Sequence, residues 1–446
     1  MTRPSSQLIP LAAFDLEEVA ARGGMGVVWK ARHRESGQRV AVKVLTAEGA
    51  TANRLVHALH AEVAAMAGLR HPHIVYVFDY GAVPEETAEA SGHELPAGSP
   101  WFAMEFVEGT TLSKRKWTHD WASLKSVLLD LLDSLAHAHA RGVIHRDLKP
   151  SNVLMAGTPG RGRLKLTDFG LAFAFEAYFD RTAGQPQLAG TPTYMAPEQV
   201  AADPSLQGPW TDLYNLGCIA WSLACGRRPY RHRDPQKLIE AHQHAPVPEL
   251  RPRMDLPPGF DDWVYKLMAK RVHDRFHRAA DAAWALVQLD KTSPKLARDI
   301  QASMLHTLVF DGDDPSVQQT TEQPPLPRTW RRREADPVRL LGAGTGLFGL
   351  RTFPVVGRVA ERDALWRALS EVHRTRMPAA VVMAGPAGVG KSRLVEWLCR
   401  RAHEVGGAAV YRATHGEDEG PTHGLVGLLG RALQTTRVRL DLLESH

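Results

Sequence analysis

Three short polar stretches stand in a fixed order and limit what this chain can fold into. "IHRDLKPSN" spans Ile144–Asn152, "DFG" begins 16 residues after Asn152 at Asp168, and "APE" occupies Ala196–Glu198. Whatever holds them together must be built from the apolar segments on either side. Upstream, "VVWKARH" and "RVAVKVL" are β-branched runs separated by "RESGQ", which carries a turn glycine, so they read as two strands. "NRLVHALHAEVAAMAGL" has apolar residues at helical spacing, and "HIVYVFDYG" and "PWFAMEFV" are two more strands. The polar stretch between those last strands, "VPEETAEASGHELPAGSP", reads as an exposed loop. From "LKSVLLDLLDSLAHAHARG" through "DLYNLGCIAWSLACG" to "DDWVYKLMAK" the pattern is helical, with Leu128, Leu131, Leu132 and Leu135 as helix core. A small β-rich part therefore precedes a larger helical part.

Composition narrows the class. The 446 residues leave room for two or three cores, and 44% hydrophobic with 23% charged residues describes a globular protein. Cys218, Cys225 and Cys399 lack metal-ligand spacing and are odd in number, which fits reduced thiols in the cytoplasm. No run of 18 apolar residues occurs, so no membrane span is expected. The N-terminal "MTRPSSQLIPLAAFDLEE" is too weakly apolar for a secretory signal. The net charge of +5 is mild, and its densest cluster, "RTWRRRE" at Arg328–Glu334, reads as part of a solvated linker over residues 291–352. No nucleic-acid partner is expected, because repeated basic stripes with interleaved aromatics are missing.

Together with "ARGGMGVVWKA" and "VAVKVL", the motif order resembles the eukaryotic-like (Hanks-type) Ser/Thr protein kinases of bacteria over residues 14–290. The resemblance implies an α+β, two-lobed fold, ATP and Mg²⁺ as substrate and cofactor, and protein substrates with Ser or Thr acceptors. Phosphoryl transfer asks a protein mainly to position the γ-phosphate and neutralise its charge. By resemblance, Asp147 orients or accepts the proton of the substrate hydroxyl, and Asn152 and Asp168 offer Mg²⁺ the oxygen ligands it prefers. Lys43 holds the α- and β-phosphates and is steadied by Glu62, nine residues before His71 of "HPHIV". Met104 takes the gatekeeper place, the Glu105 carbonyl and Val107 amide meet the adenine edge, and Val28 and Ala41 belong to the same pocket. Lys149 matches the Ser/Thr pattern, and Thr191 matches the threonine near the base and the acceptor hydroxyl. Asp212 and Arg275 resemble scaffold residues, the first steadying the catalytic loop and the second pairing with Glu198. His71, His73, His137, His139 and His145 fall on kinase patterns rather than on metal-ligand spacing.

Two departures carry expectations. The glycine loop keeps Gly23, Gly26 and Val28, but Ala21 replaces its first glycine, so ATP binding is expected to be weaker. Arg146 precedes Asp147, and such an arginine often answers to a phosphorylated loop. The segment between Asp168 and Glu198 offers Tyr178, Thr182, Thr191 and Thr193, of which Thr182 is the candidate for autophosphorylation.

A second phosphate motif lies near the C-terminus. Gly385, Gly390, Lys391 and Ser392 fit G-x-x-x-x-G-K-[ST], with "AAVVMA" before them as a strand and "RLVEWLCRRAHEV" after them as a helix. Strand, loop and helix in that order aim backbone N–H groups at a phosphate. "FPVVGRVAERDALWRAL" resembles the opening segment of AAA-type ATPase modules. After Ser392, however, no apolar strand ends in paired acids: Glu417–Asp418 and Asp441 lack that context. With about 90 residues, the unit from Phe353 to His446 has roughly half the usual domain length. It is expected to be an incomplete α/β P-loop NTPase module, in a truncated product or a piece of a longer protein. The sequence thus points to a cytoplasmic Ser/Thr protein kinase in signal transduction. The rival is a pseudokinase scaffold with a nucleotide-binding C-terminal switch, which would have no chemical reason to keep Lys43, Glu62, Asp147, Asn152 and Asp168 together.

Overall fold

The computed structural model describes residues 8–23, 26–45, 63, 66–115, 120–157, 163–169, 192–200, 206–291, 324–331, 340–348, 351 and 355–411. Glu62, Thr182 and Thr191 lie outside the described residues, as do Asp418 and Asp441.

The β-rich part is one antiparallel sheet. Its strands are β1 (Ile9–Leu11), β2 (Phe14–Gly23), β3 (Gly26–His33), β4 (Arg39–Val44), β5 (Val77–Ala82) and β6 (Pro100–Glu105), ordered β1-β2-β3-β4-β6-β5. β4 is hydrogen-bonded on both sides, Val42 facing Trp29 in β3 and Ala103 in β6. Its run of Val, Ala and Val is buried, and Lys43 is the one charged residue buried within it. A small second sheet, β7 (Gly109–Thr111), β8 (Val153–Ala156) and β9 (Arg163–Leu166), follows the hinge between the lobes.

The stretch expected to be an exposed loop contains a helix, α1 (Glu85–Ala90). Glu85 and Glu86 suit its N-terminal end. Ala88 and Leu95 are buried, and the Thr87 hydroxyl donates to the Pro10 carbonyl at 2.6 Å. Composition marked this segment as polar, but its few apolar side chains cover the outer strand β1.

The helical part is built on α2 (Trp121–His139), whose leucines at helical spacing are all buried. Asp120 caps it by accepting from the Ser123 N–H at 2.8 Å. α3 (Pro209–Cys225) is buried nearly all round, begins on a proline and stops at Gly226, where φ is +67°. α4 (Pro235–His244), α5 (Phe260–Leu267) and α6 (Ala279–Gln288) complete the lobe. One core runs from Ala41, Phe102 and Met104 of the sheet through α2 to Trp221 and Trp263. The two-lobed α+β expectation holds.

Beyond the helical lobe lie α7 (Val359–Thr375) and α8 (Lys391–Glu404). "AAVVMA", expected as a strand, forms no ladder among the described residues, and Val382 is 90% exposed. A strand needs a hydrogen-bonded neighbour, and none is described beside it. Nor are residues 340–348 a free linker. Leu340 and Leu347 are buried in the two cores, and the Gly346 N–H donates to Asp79 Oδ1 at 3.1 Å. "RTW" also packs rather than floats: Trp330 Nε1 donates to Asp363 Oδ1 at 2.6 Å, and its ring meets Trp397 edge-on at 5.2 Å. Among the described residues, no helix is long and apolar enough to cross a membrane.

Candidate active site

Lys43 projects from the central strand of the sheet, and an ammonium buried there is costly without an opposite charge. That charge is Asp168, 125 residues on, whose Oδ1 accepts from Nζ at 2.6 Å. Burial alone would push the Asp168 carboxyl up, but Lys43, with His145 and Lys149 adding to it, holds the group below its ordinary value. Asp168 sits just after β9 with φ at +61°. That left-handed conformation is uncommon outside glycine and is sustained here by the surrounding contacts. Phe169 beside it is buried, its ring 4.5 Å from that of His145.

The stretch from His145 to Asn152 is a loop, and buried polar groups from α2 and α3 hold it. Asp212 of α3 accepts from the His145 and Arg146 backbone N–H groups, both at 2.8 Å, and from His139 Nε2 at 2.7 Å. His145 Nε2 in turn donates to the Thr167 carbonyl at 3.0 Å, tying this loop to the residue before Asp168. Arg146 has φ at +62°. The Asn152 amide nitrogen donates to the Asp147 carbonyl at 2.9 Å and to its Oδ2 at 3.0 Å. Lys149 Nζ lies 2.7 Å from the same Oδ2.

Asp147, Lys149, Asn152, Lys43 and Asp168 are therefore gathered at the junction of the two sheets and the helical lobe. Their donor set fits a hard cation: two carboxylates and one amide oxygen, the Asn152 nitrogen being already committed to Asp147. Ala41 and Met104 face each other across β4 and β6, and the Thr167 hydroxyl reaches Met104 Sδ at 4.0 Å. Glu105 ends β6, its side chain paired with Lys165 at 2.6 Å, and Val107 follows at the hinge. Val28 pairs with Lys43 on one side and Ala21 on the other. Gly23 closes the β2–β3 hairpin against Gly26.

Arg275 and Glu198 form the expected pair, two parallel bonds of 2.9 and 3.0 Å with both side chains buried. Sequence reasoning missed Gln199. Its Nε2 donates to the Arg146 carbonyl at 2.7 Å and its Oε1 accepts from Ala196 N–H at 2.9 Å, joining "APE" to the catalytic loop. Its place directly after Glu198 was the available signal. The histidines have carboxylate neighbours: His71 with Asp133 at 3.0 Å, His73 with Asp130 at 3.5 Å, His137 with Glu404 at 2.8 Å.

Residues 14–284 match the profile of the protein kinase domain family. The chain belongs to that family. Among curated relatives, the serine/threonine-protein kinase Pkn1 of Myxococcus xanthus is 36% identical over 271 residues, covering 59% of this chain and 36% of its own. The serine/threonine-protein kinase PknA of Mycobacterium tuberculosis is 33% identical over 289 residues, 63% of each chain. PknB of the same species is 32% identical over 303 residues, 66% of this chain and 46% of its own. The chain thus spans between 36% and 63% of the length of these relatives. Protein kinases use ATP as substrate and Mg²⁺ as cofactor, and the kinase domain here carries the oxygen donors and the buried lysine for both.

Proposed function

We propose that the chain is a serine/threonine protein kinase that transfers the γ-phosphoryl group of ATP to protein hydroxyls in bacterial signalling. The observation that carries this reading is the pairing of Lys43 with Asp168, 125 residues apart, beside the Asp147–Asn152 pair of the loop that His145 ties to Thr167. Lys43 holds the nonreacting phosphates. Asp147 takes the proton of the substrate Ser or Thr hydroxyl as its oxygen bonds to the γ-phosphorus and the bond to the ADP oxygen breaks. Lys149, beside Asp147, offers positive charge to the transferred group. Asn152 and Asp168 would hold Mg²⁺, which neutralises phosphate charge. Glu62 steadies Lys43 and Thr191 assists near the acceptor, while Thr182 is the autophosphorylation candidate. With ATP and Mg²⁺, the full chain should label itself or a basic protein on Ser or Thr. Asp147→Asn should reduce the rate by about 10²–10⁴-fold, with an unchanged circular dichroism spectrum. Equal labelling by the two proteins would sink the assignment.

The C-terminal unit is proposed as a phosphate-binding P-loop of the AAA kind that does not hydrolyse ATP. Gly385, Gly388 and Gly390 have φ of +152°, +80° and +91°, conformations that glycine adopts without steric cost. Lys391 and Ser392 begin α8, and Lys391 Nζ curls over the loop to the Gly385 and Pro386 carbonyls at 2.7 and 2.8 Å. ATP turnover should be absent from the Asp147→Asn chain. Turnover that persists there and disappears on adding Lys391→Ala would overturn the non-hydrolytic reading.

A further inference from the structure

The seam between the kinase domain and the C-terminal helices encloses a cleft of about 420 Å³. Its wall is rich in positive charge: among the described residues, eight arginines line it against two glutamates. Arg70 and Arg141 come from the kinase domain, Arg351 from the segment clasped to β5, and Arg393 and Arg400 from α8. On α8 the spacing of Arg393, Glu396, Trp397, Arg400, Arg401 and Glu404 is that of a single helix face.

The two carboxylates are already engaged. Glu396 is shared by Arg393 at 2.9 Å and Arg400 at 2.5 Å, while Glu404 is buried against His137 and Arg401. Among the described residues, no carboxylate pairs with Arg70 or Arg351, and Arg351 Nε is buried with no hydrogen-bond acceptor. Burial disfavours the Arg351 cation and the Arg70 charge adds to that, while Tyr76 and the Asp79 carboxylate favour it; its guanidinium also reaches the Val77 carbonyl and covers the Tyr76 ring at 4.9 Å. Like charges crowded into a half-enclosed wall repel one another unless an anion lies between them. The wall is also preformed. Arg362 stacks over Trp330 at 3.5 Å and over Trp397 at 4.6 Å, and Arg401 Nε donates to the Trp330 carbonyl at 3.0 Å.

We propose that this cleft is a binding site for a small molecule bearing two or more phosphate groups, held between the kinase domain and the C-terminal unit. Guanidinium forks match phosphate oxygens in pairs, which a single ammonium cannot do. Arg70, Arg351 and Arg400 come from three separate segments of the wall, so two or more linked phosphates can meet them together where one phosphate cannot. The volume lies in the range of small-molecule sites, about 300–1,000 Å³, and cannot admit a nucleic-acid duplex. The site differs from the ATP pocket under the β2–β3 hairpin, and none of Gly385, Gly390, Lys391 and Ser392 of the P-loop lines it.

The test uses the full chain carrying Lys43→Met and Lys391→Ala, which disables the other two phosphate cradles, with inorganic tripolyphosphate titrated calorimetrically. One equivalent should bind, with affinity falling steeply as salt rises. Arg70→Gln with Arg400→Gln should weaken it at least tenfold. Glu396→Gln removes the competitor for Arg393 and Arg400 and should tighten it severalfold, a gain that misfolding cannot produce. Absence of binding to the parent chain, or an affinity that Glu396→Gln leaves unchanged or lowers, would overturn the proposal.

Discussion

Gly26 and Ala21 stand on the same hairpin and respond differently to a methyl group. Gly26 has φ at +140°, and a Cβ placed there would lie 2.1 Å from the Val44 carbonyl oxygen. Alanine cannot occupy that position without moving β3 away from β4, the strand that carries Lys43. Ala21 already carries its methyl on an exposed stretch of β2, opposite Val28 and without positive φ. Removing that methyl relieves nothing within the protein, so any change in ATP KM on Ala21→Gly must come from the nucleotide itself. Gly26→Ala should lower kcat/KM for ATP by about tenfold or more, equivalent to about 1.4 kcal/mol, and should lower the melting temperature. Steady-state kinetics on both variants checks this. Unchanged kinetics in Gly26→Ala would mean that the strand pair yields more easily than its geometry implies.

At the scale of elements, α4 is pinned to the segment just before "APE" through one buried histidine. His242 Nε2 donates to the Thr193 carbonyl at 3.0 Å, its Nδ1 meets the Tyr214 hydroxyl at 3.0 Å, and the Tyr230 ring lies 4.8 Å away. Lys270 donates to the His242 carbonyl at 2.7 Å. Burial, and then the Lys270 charge, push the imidazole down from 6.5 to about 4. Between those two values the unfolded chain binds more protons than the folded one, so stability is full above pH 6.5 and falls as pH drops toward 4. His403 of α8, half-buried and likewise pushed by desolvation to about 4, adds to the loss in the same window. The melting temperature should therefore drop as pH is lowered through this range, and His242→Gln should flatten the slope. Equal slopes in the two proteins would show that His242 does not set it.

Across the whole molecule, residues 340–348 together with Arg351 work as a strap across the sheet. His33 Nε2 donates to the Leu341 carbonyl at 2.7 Å, and Leu347 is 1% exposed. Gly346 makes the closest approach: a Cβ there would sit 1.7 Å from the Tyr80 carbonyl oxygen. Gly346→Ala should lift the strap and expose Leu347, whose burial is worth about 1.5–3 kcal/mol. Faster proteolytic cleavage within the strap and a lower melting temperature are the expected outcomes. A cleavage rate equal to that of the parent chain would count against the strap.

Residue types and short-range spacing made the chemistry and the local elements legible before any fold was known. The residue types in "HRDLKPSN", "DFG" and "VAVKVL" state which side chains can meet phosphate and metal, and the leucine spacing of α2 already contains its buried face. Those features depend on neighbours a few residues away, so a linear reading reaches them. Tertiary structure decided what depends on surfaces that meet across long stretches of chain. It gave Lys43 its partner in Asp168, gave Asp212 its hold on the catalytic loop, and made Gln199 a tie rather than a spacer. It also turned a polar stretch into α1 and a compositional linker into a strap. The arginines of α8 look like an ordinary solvated helix face in the sequence. Only packing against α2 brings them opposite Arg70 and Arg141, because charge density in a cleft depends on which walls enclose it.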